Sequence, residues 1–320
     1  LDCRAGVAIG PIDDTDPEDL IDDAFVALHV ADRHHRPLAF YSEPSRRSLI
    51  ERHTLMRDLQ GALRDERGLA LHYQPMIDVR RRLVVGAEAL IRWRHADHGA
   101  LPPARFIGLA EESGLIEQLD LWTLRTACAQ IRHWREQGVS MPPIAINLSA
   151  RQFADPDLPR HVGERVDEYG VQPGSLDVEL TETSALDEQP LTIAVMRELR
   201  ALGVGIAIDD FGTGHASMSR LRSMPFSKLK IDREFVMGVS TNPDKRAICR
   251  SLIALARELR LDVLAEGTET VEEVEALLAE GCQVFQGYHF HRPMPAAALT
   301  RLFARGDLLS IDRDTVIDSS

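Results

Sequence analysis

The stretch VGIAIDDFGTG, residues 204–214, runs from an apolar segment of strand length into two adjacent aspartates and a glycine-rich turn. Consecutive strand residues face opposite ways, so Asp209 and Asp210 can serve one site only where the backbone leaves the sheet. The plainer alternative is a turn cap beside a solvated acid. Other apolar runs also end in polar residues. Glu88 closes one in GAEAL, Asn147 in IAIN, Glu179 and Glu182 in VELTE, Lys230 and Asp232 in KLKID, Glu266 in VLAEG, and Gln286 in VFQG. Six or more carboxylates in one pocket would repel one another and hold protons, and bound divalent cations would relieve this. Ligands that are all oxygen favour Mg²⁺ or Mn²⁺ over zinc, and the number of acids suggests two ions. Such a pair, ~3.5–4 Å apart, activates water and stabilises the attacking and leaving oxygens of a phosphoester displacement. Lys230, two residues before Asp232, would face the same way and could steady the nucleophile or the developing charge. His95 and His98 have no third soft ligand at a useful spacing and are expected at the surface or in loops.

These residues need a scaffold that brings strand ends together. Eight apolar runs, starting at residues 69, 82, 143, 176, 204, 228, 261 and 284, alternate with helical stretches such as 118–137, 189–202, 245–259 and 270–280. Alternating strand and helix implies parallel strands with crossover helices, and eight units in this length match a closed (β/α)8 barrel whose sites lie at one end. An open doubly wound sheet would be expected to carry a Gly-rich fingerprint after its first strand, and none is present. Residues 1–45 hold a strand, a helix opened by Asp16-Pro17 and the run LAFY, too little for a core of their own. An amphipathic helix over 46–67 links them to the barrel at 68–310, which leaves 311–320 as a tail.

At 320 residues, 44% hydrophobic and 27% charged, the composition is globular. The net charge of -13 argues against gripping a nucleic-acid polymer but allows a small nucleotide held through metal ions. No run approaches the ~18 apolar residues of a membrane span. Four scattered cysteines without a CxxC pair suit a reducing cytosol. Starting at Leu1 rather than Met, the chain reads as part of a longer protein with sensor or membrane parts upstream.

The ordered set GAEALIRWRH, INLSARQF, ELTET, DDFGTG, KID, AEGTET and QGYHFHRPMP, spanning about residues 71–295, resembles the EAL-domain family of cyclic di-GMP phosphodiesterases. The resemblance implies a TIM-like barrel with its first strand antiparallel, hydrolysing cyclic di-GMP to the linear dinucleotide pGpG with Mg²⁺ or Mn²⁺. By the same resemblance Glu88, Asn147, Glu179 and Asp209 look like ligands of one ion, and Asp210 and Asp232 like ligands of the other. Glu266 looks like a further ligand or a residue acting on the water, and Lys230 like the catalytic-site lysine. Gln74, Arg92 and Gln286 resemble substrate contacts. Glu182 looks like a brace for the loop after the fifth strand, and Glu269 like another acid near the site. Departures are mild: Ile91, Thr268 and the triplet HAS at 215–217. Residues 1–45 resemble the closing part of a GGDEF cyclase domain without its signature. Homodimerisation through the region around 213–224 is a further implication. A domain that binds cyclic di-GMP without cutting it is the alternative, although such receptors usually lose metal ligands and none is missing here.

Overall fold

The computed structural model describes residues 3–182, 190–212 and 218–305. The tail 311–320, the HAS triplet and residues 213–217 of the expected dimer region lie outside the described residues. The chain divides into two compact units, one reaching to Gly68 and including Leu101–Leu115, the other formed by Leu69–Ala100 and the chain from Ile116 onward.

In the first unit β1 (Ala5–Val7) and β2 (Leu38–Phe40) pair in parallel, with the helix Pro17–Arg33 between them in sequence. Asp16 caps that helix by accepting from Glu18 N at 2.8 Å, and Pro17 supplies its preset first turn. Gly6 lets helix and strand touch, since a Cβ there would lie 2.1 Å from Ala24 O. Leu55 and Leu59 of the helix Glu43–Asp65 are buried, as are Phe106 and Leu109 of the helix Pro103–Ser113.

The second unit is a closed barrel. Strand β3 (Leu69–Asp78) turns through four residues into β4 (Leu83–His95), with Gln74 opposite Glu88. After the short β5 (Gly99–Leu101) come β6 (Ile144–Asn147), β7 (Leu176–Thr181), β8 (Gly205–Phe211), β9 (Lys228–Ile231), β10 (Asp262–Ala265) and β11 (Val284–Phe285). From β4 through β11 these barrel strands pair in parallel; β3 is antiparallel to both β4 and β11 and closes the ring. This is the TIM-like barrel with a reversed first strand, and the closure excludes an open sheet. The two-residue β12 (Met294–Pro295) adds to the edge of β3. Helices of 10 to 21 residues, including Ile116–Glu136, Pro190–Ala201, Pro243–Glu258, Val271–Glu280 and Ala296–Arg305, follow in sequence and bury apolar residues such as Leu124, Met196, Ile253, Leu277 and Leu299. Of the cysteines, Cys128, Cys249 and Cys282 are buried and Cys3 is exposed. No helix among the described residues is long and apolar enough to cross a membrane.

Strand alternation gives each barrel strand an inward row. Near the strand starts the row includes Asp177, Gly205 and Lys228; near the opposite ends it includes Glu88, Asn147, Glu179, Asp209, Lys230 and Glu266. Gly205 is required at its position, because a Cβ would lie 1.9 Å from Asp177 Oδ1, and Asp177 is held by Lys228 at 3.0 Å. Gly205→Ala is therefore expected to lower unfolding free energy by about 1–3 kcal/mol through overpacking, measured by urea denaturation.

Candidate functional site

The site centres on Lys230, which is fully buried. Its Nζ lies 2.5 Å from Glu179 Oε2, 2.6 Å from Glu266 Oε1, 3.1 Å from Asp209 Oδ1 and 3.7 Å from Glu88 Oε2. Burial alone would lower the lysine pKa, but Glu179, Glu266, Glu88 and Asp209 together raise it well above the usual value, so Lys230 is a fixed cation. Burial pushes Glu179 up to about 8 against the pull of Lys230, with Glu88 and Asp209 adding to the rise. Burial likewise raises Glu266 well above the carboxylate range. One positive charge is too little for four crowded acids.

Neutral amides complete the arrangement around Glu88. Asn147 Nδ2 donates to Glu88 Oε1 at 2.7 Å, and Gln286 Nε2 donates to Glu88 Oε2 at 2.6 Å and to Gln74 Oε1 at 3.2 Å. Gln74 Nε2 in turn donates to His291 O at 3.0 Å. Arg92 shares the face of β4 that carries Glu88, is partly buried, and donates through Nη1 to Ile91 O at 2.8 Å. Burial lowers the Arg92 pKa, with Tyr288 and Glu88 opposing.

The two aspartates of β8 do reach one site. Asp210 has φ +53°, and the pairing of β8 with β9 shifts register between Ile208 and Phe211. This departure turns both carboxylates the same way, and oxygens of Asp209, Asp210 and Glu266 all lie within 4.8 Å of one another. A positive φ is uncommon for a residue with a Cβ, so the aspartate is held there by its surroundings. Asp209 also has the turn role of the plainer reading, accepting from Asp210 N at 2.9 Å. Asp232 caps the short helix Arg233–Val236 through Glu234 N at 2.7 Å, and its carboxyl lies beside that of Asp210. Burial, then Asp209 and Asp232, raise Asp210 to about 6.

Loop supports surround this set. Glu182 Oε2 accepts from Gly212 N at 2.7 Å, just beyond the two aspartates. Glu269 is exposed and pairs with Arg233 at 2.9 Å, touching none of the central acids. Thr268 is fully buried, and its Oγ1 donates to Gln286 O at 3.2 Å, fixing the strand end that carries the glutamine. His95 is buried rather than at the surface. Its Nδ1 accepts from Asp97 N at 3.1 Å, which makes it the cap of the turn after β4.

Two further acids act here and were missed in the sequence. Asp120 Oδ2 accepts from Ser149 N at 3.0 Å and Ser149 Oγ at 2.6 Å, holding the chain just after Asn147. It lies on a helix far away in sequence, and no local signal marks it. Glu273 accepts from Gly238 N at 2.8 Å and Glu269 N at 2.9 Å and forms a capping box with Thr270. The Thr-x-x-Glu spacing was its available signal.

The donor set suits a hard divalent cation. It is all oxygen, and Glu179 Oε1 and Gln286 Oε1 are buried without a hydrogen-bond partner.

Comparison with known proteins agrees with this geometry. The family model described as EAL domain matches residues 56–293, and the chain belongs to the EAL-domain family. It is 39% identical over 300 residues to the bifunctional diguanylate cyclase/cyclic di-GMP phosphodiesterase MucR of Pseudomonas aeruginosa, covering 93% of this chain and 44% of the relative. It is also 39% identical to the cyclic di-GMP phosphodiesterase NbdA of that organism, covering 93% of this chain and 38% of the relative. The chain thus spans less than half the length of these relatives. Among solved structures, the PaMucR phosphodiesterase complex with c-di-GMP superimposes with TM-score 0.73 and 42% identity over 77% of this chain and 99% of that one.

Two outcomes follow from the geometry. Because the folded pKa of Asp210 is raised, the proton it retains stabilises the ion-free protein fully below the ordinary aspartate value, and that contribution is lost as pH rises through about 6. Thermal unfolding in EDTA at pH 5 and 7.5 should show a smaller fall for Asp210→Asn than for the parent chain, and saturating Mg²⁺ should reduce the parent's fall. Asp120→Ala is expected to destabilise the fold by about 1–3 kcal/mol and to weaken Mn²⁺ binding by displacing the segment after Asn147, measured by denaturation and calorimetric titration.

Proposed function

We propose that this chain hydrolyses cyclic di-GMP to linear pGpG with two Mg²⁺ or Mn²⁺ ions. The observation that carries the reading is the Lys230-centred cluster, in which crowded acids retain oxygen atoms free for a cation. The names of MucR and NbdA and the ligand in the PaMucR complex support the choice of substrate.

Glu88, Asn147, Glu179 and Asp209 would hold one ion and Asp210 and Asp232 the other, with Glu266 as a further ligand or a residue acting on the water. Bound ions would supply activated water and charge stabilisation for in-line displacement at phosphorus. Lys230 keeps the acids at fixed spacing and presents a positive charge to the developing negative one. Arg92 offers a planar fork to a phosphate, and Gln74 and Gln286 offer amide groups on the same inner face. Glu182 holds the loop at Gly212, and Glu269 steadies the Arg233 helix behind Asp232.

Residues 1–45 are read as the closing part of a GGDEF-like domain, supported by the alignment to bifunctional MucR over 93% of the chain. On the same likeness the chain is taken as the cytosolic part of a longer signalling protein that pairs as a homodimer.

Incubation with cyclic di-GMP and Mn²⁺ should yield pGpG, and ligand bound without turnover would instead favour a receptor. Glu88→Ala, Asp209→Asn and Asp210→Asn should each lower turnover by about a hundredfold or more. Anomalous scattering from Mn²⁺-soaked crystals should show a different ion lost in each aspartate variant. Glu182→Ala should lower activity and metal affinity with the barrel still folded; normal values of both would remove its bracing role.

A further inference from the structure

The barrel mouth away from the acidic site opens on a cavity of about 810 Å³. Its wall is formed by the starts of the parallel strands and the end of β3, and its base by Met76, Leu264 and Val284. One layer of apolar side chains therefore separates it from the acids. Lys228 lies two residues before Lys230 on β9, and Asp177 two before Glu179 on β7, so both sites share two strands.

The charge here is opposite. Arg81, Arg200, Lys228, Arg257 and Arg260 line the cavity against Asp78, Asp177 and Asp262, five cations to three acids in a chain of net charge -13. Lys228 is taken by Asp177 at 3.0 Å, and Arg81 lies 3.8 Å from Asp78. Arg200 donates to Val204 O at 3.3 Å. Among the described residues no acid pairs with Arg200, Arg257 or Arg260. The fold makes room for one of these groups at a glycine: a Cβ at Gly281, where φ is +102°, would lie 2.5 Å from Arg257 Nη2.

We propose that this cavity binds a small polyanion bearing phosphate groups. Three exposed guanidinium groups, without acidic partners among the described residues, offer planar forks that match pairs of phosphate oxygens. The volume falls within the ~300–1,000 Å³ range of small-molecule sites. The positive excess attracts an anion that the acidic mouth, free of metal, repels. Asp177, packed over Gly205 and paired with Lys228, keeps that lysine from collapsing the space.

The test is calorimetric titration of the full chain in EDTA at low ionic strength, once with inorganic pyrophosphate and once with ADP. One saturable site per chain is expected. Arg257→Gln/Arg260→Gln should weaken it by about tenfold or more, Arg200→Gln should weaken it measurably, and Arg92→Gln should leave it unchanged. Tighter binding of ADP identifies a nucleotide as the source of the phosphate, and equal binding a free phosphate. The proposal is overturned by the absence of saturable binding for both probes, or by unchanged binding in Arg200→Gln and in a double variant whose circular dichroism is native. Hydrolysis of cyclic di-GMP is measured separately with Mn²⁺, so either reading can fail alone.

Discussion

A buried lysine held by four carboxylates is the constraint around which the barrel is arranged. An ammonium group removed from water is strongly unfavourable unless compensated, and an uncompensated group of acids is equally so. Lys230 and its neighbours satisfy each other only in the closed ring, because the five side chains come from β4, β7, β8, β9 and the residue just after β10. Small inward residues such as Ala145 and Ala207 leave the space these long side chains need. The remaining excess of negative charge suits the site to a hard cation.

Around that centre, acids that touch no reacting group perform one repeated task. Glu182 accepts from Gly212 N, Asp120 from Ser149 N, and Glu273 from Gly238 N and Glu269 N. Each fixes backbone at or near the end of a barrel strand, where an uncapped amide would otherwise leave the segment free to move. The precision of the site thus rests on hydrogen bonds to main chain rather than on the ligand residues themselves.

The barrel was largely legible in the chain because eight apolar runs alternate with amphipathic helices, and strand-end polar residues mark one face. The reversal of β3 was not, since an antiparallel strand and a parallel one carry the same apolar pattern; only the family likeness indicated it. The central position of Lys230 was half legible. Its spacing from Asp232 placed it facing the site, but the sequence offered cations alone as the remedy for repulsion, and the lysine as counter-ion required the three-dimensional crowding. The pairing of Asp209 with Asp210 depended on a positive φ that two adjacent aspartates do not announce. Asp120 was hidden because its partner lies 29 residues away in sequence and on another element.

The reversed β3 also sets an order of assembly. Gln74 and Glu88 face each other across a hairpin with a four-residue turn, a contact of short sequence separation that can form early. Gln286 reaches that same Glu88 across 198 residues, and only when β11 seats against β3. A nascent chain that ends before β11 therefore carries half of the Glu88 environment without the donor that completes it. Ring closure thus completes the Glu88 environment last, so a truncated product of interrupted synthesis would hold the acids without the amide that orders them.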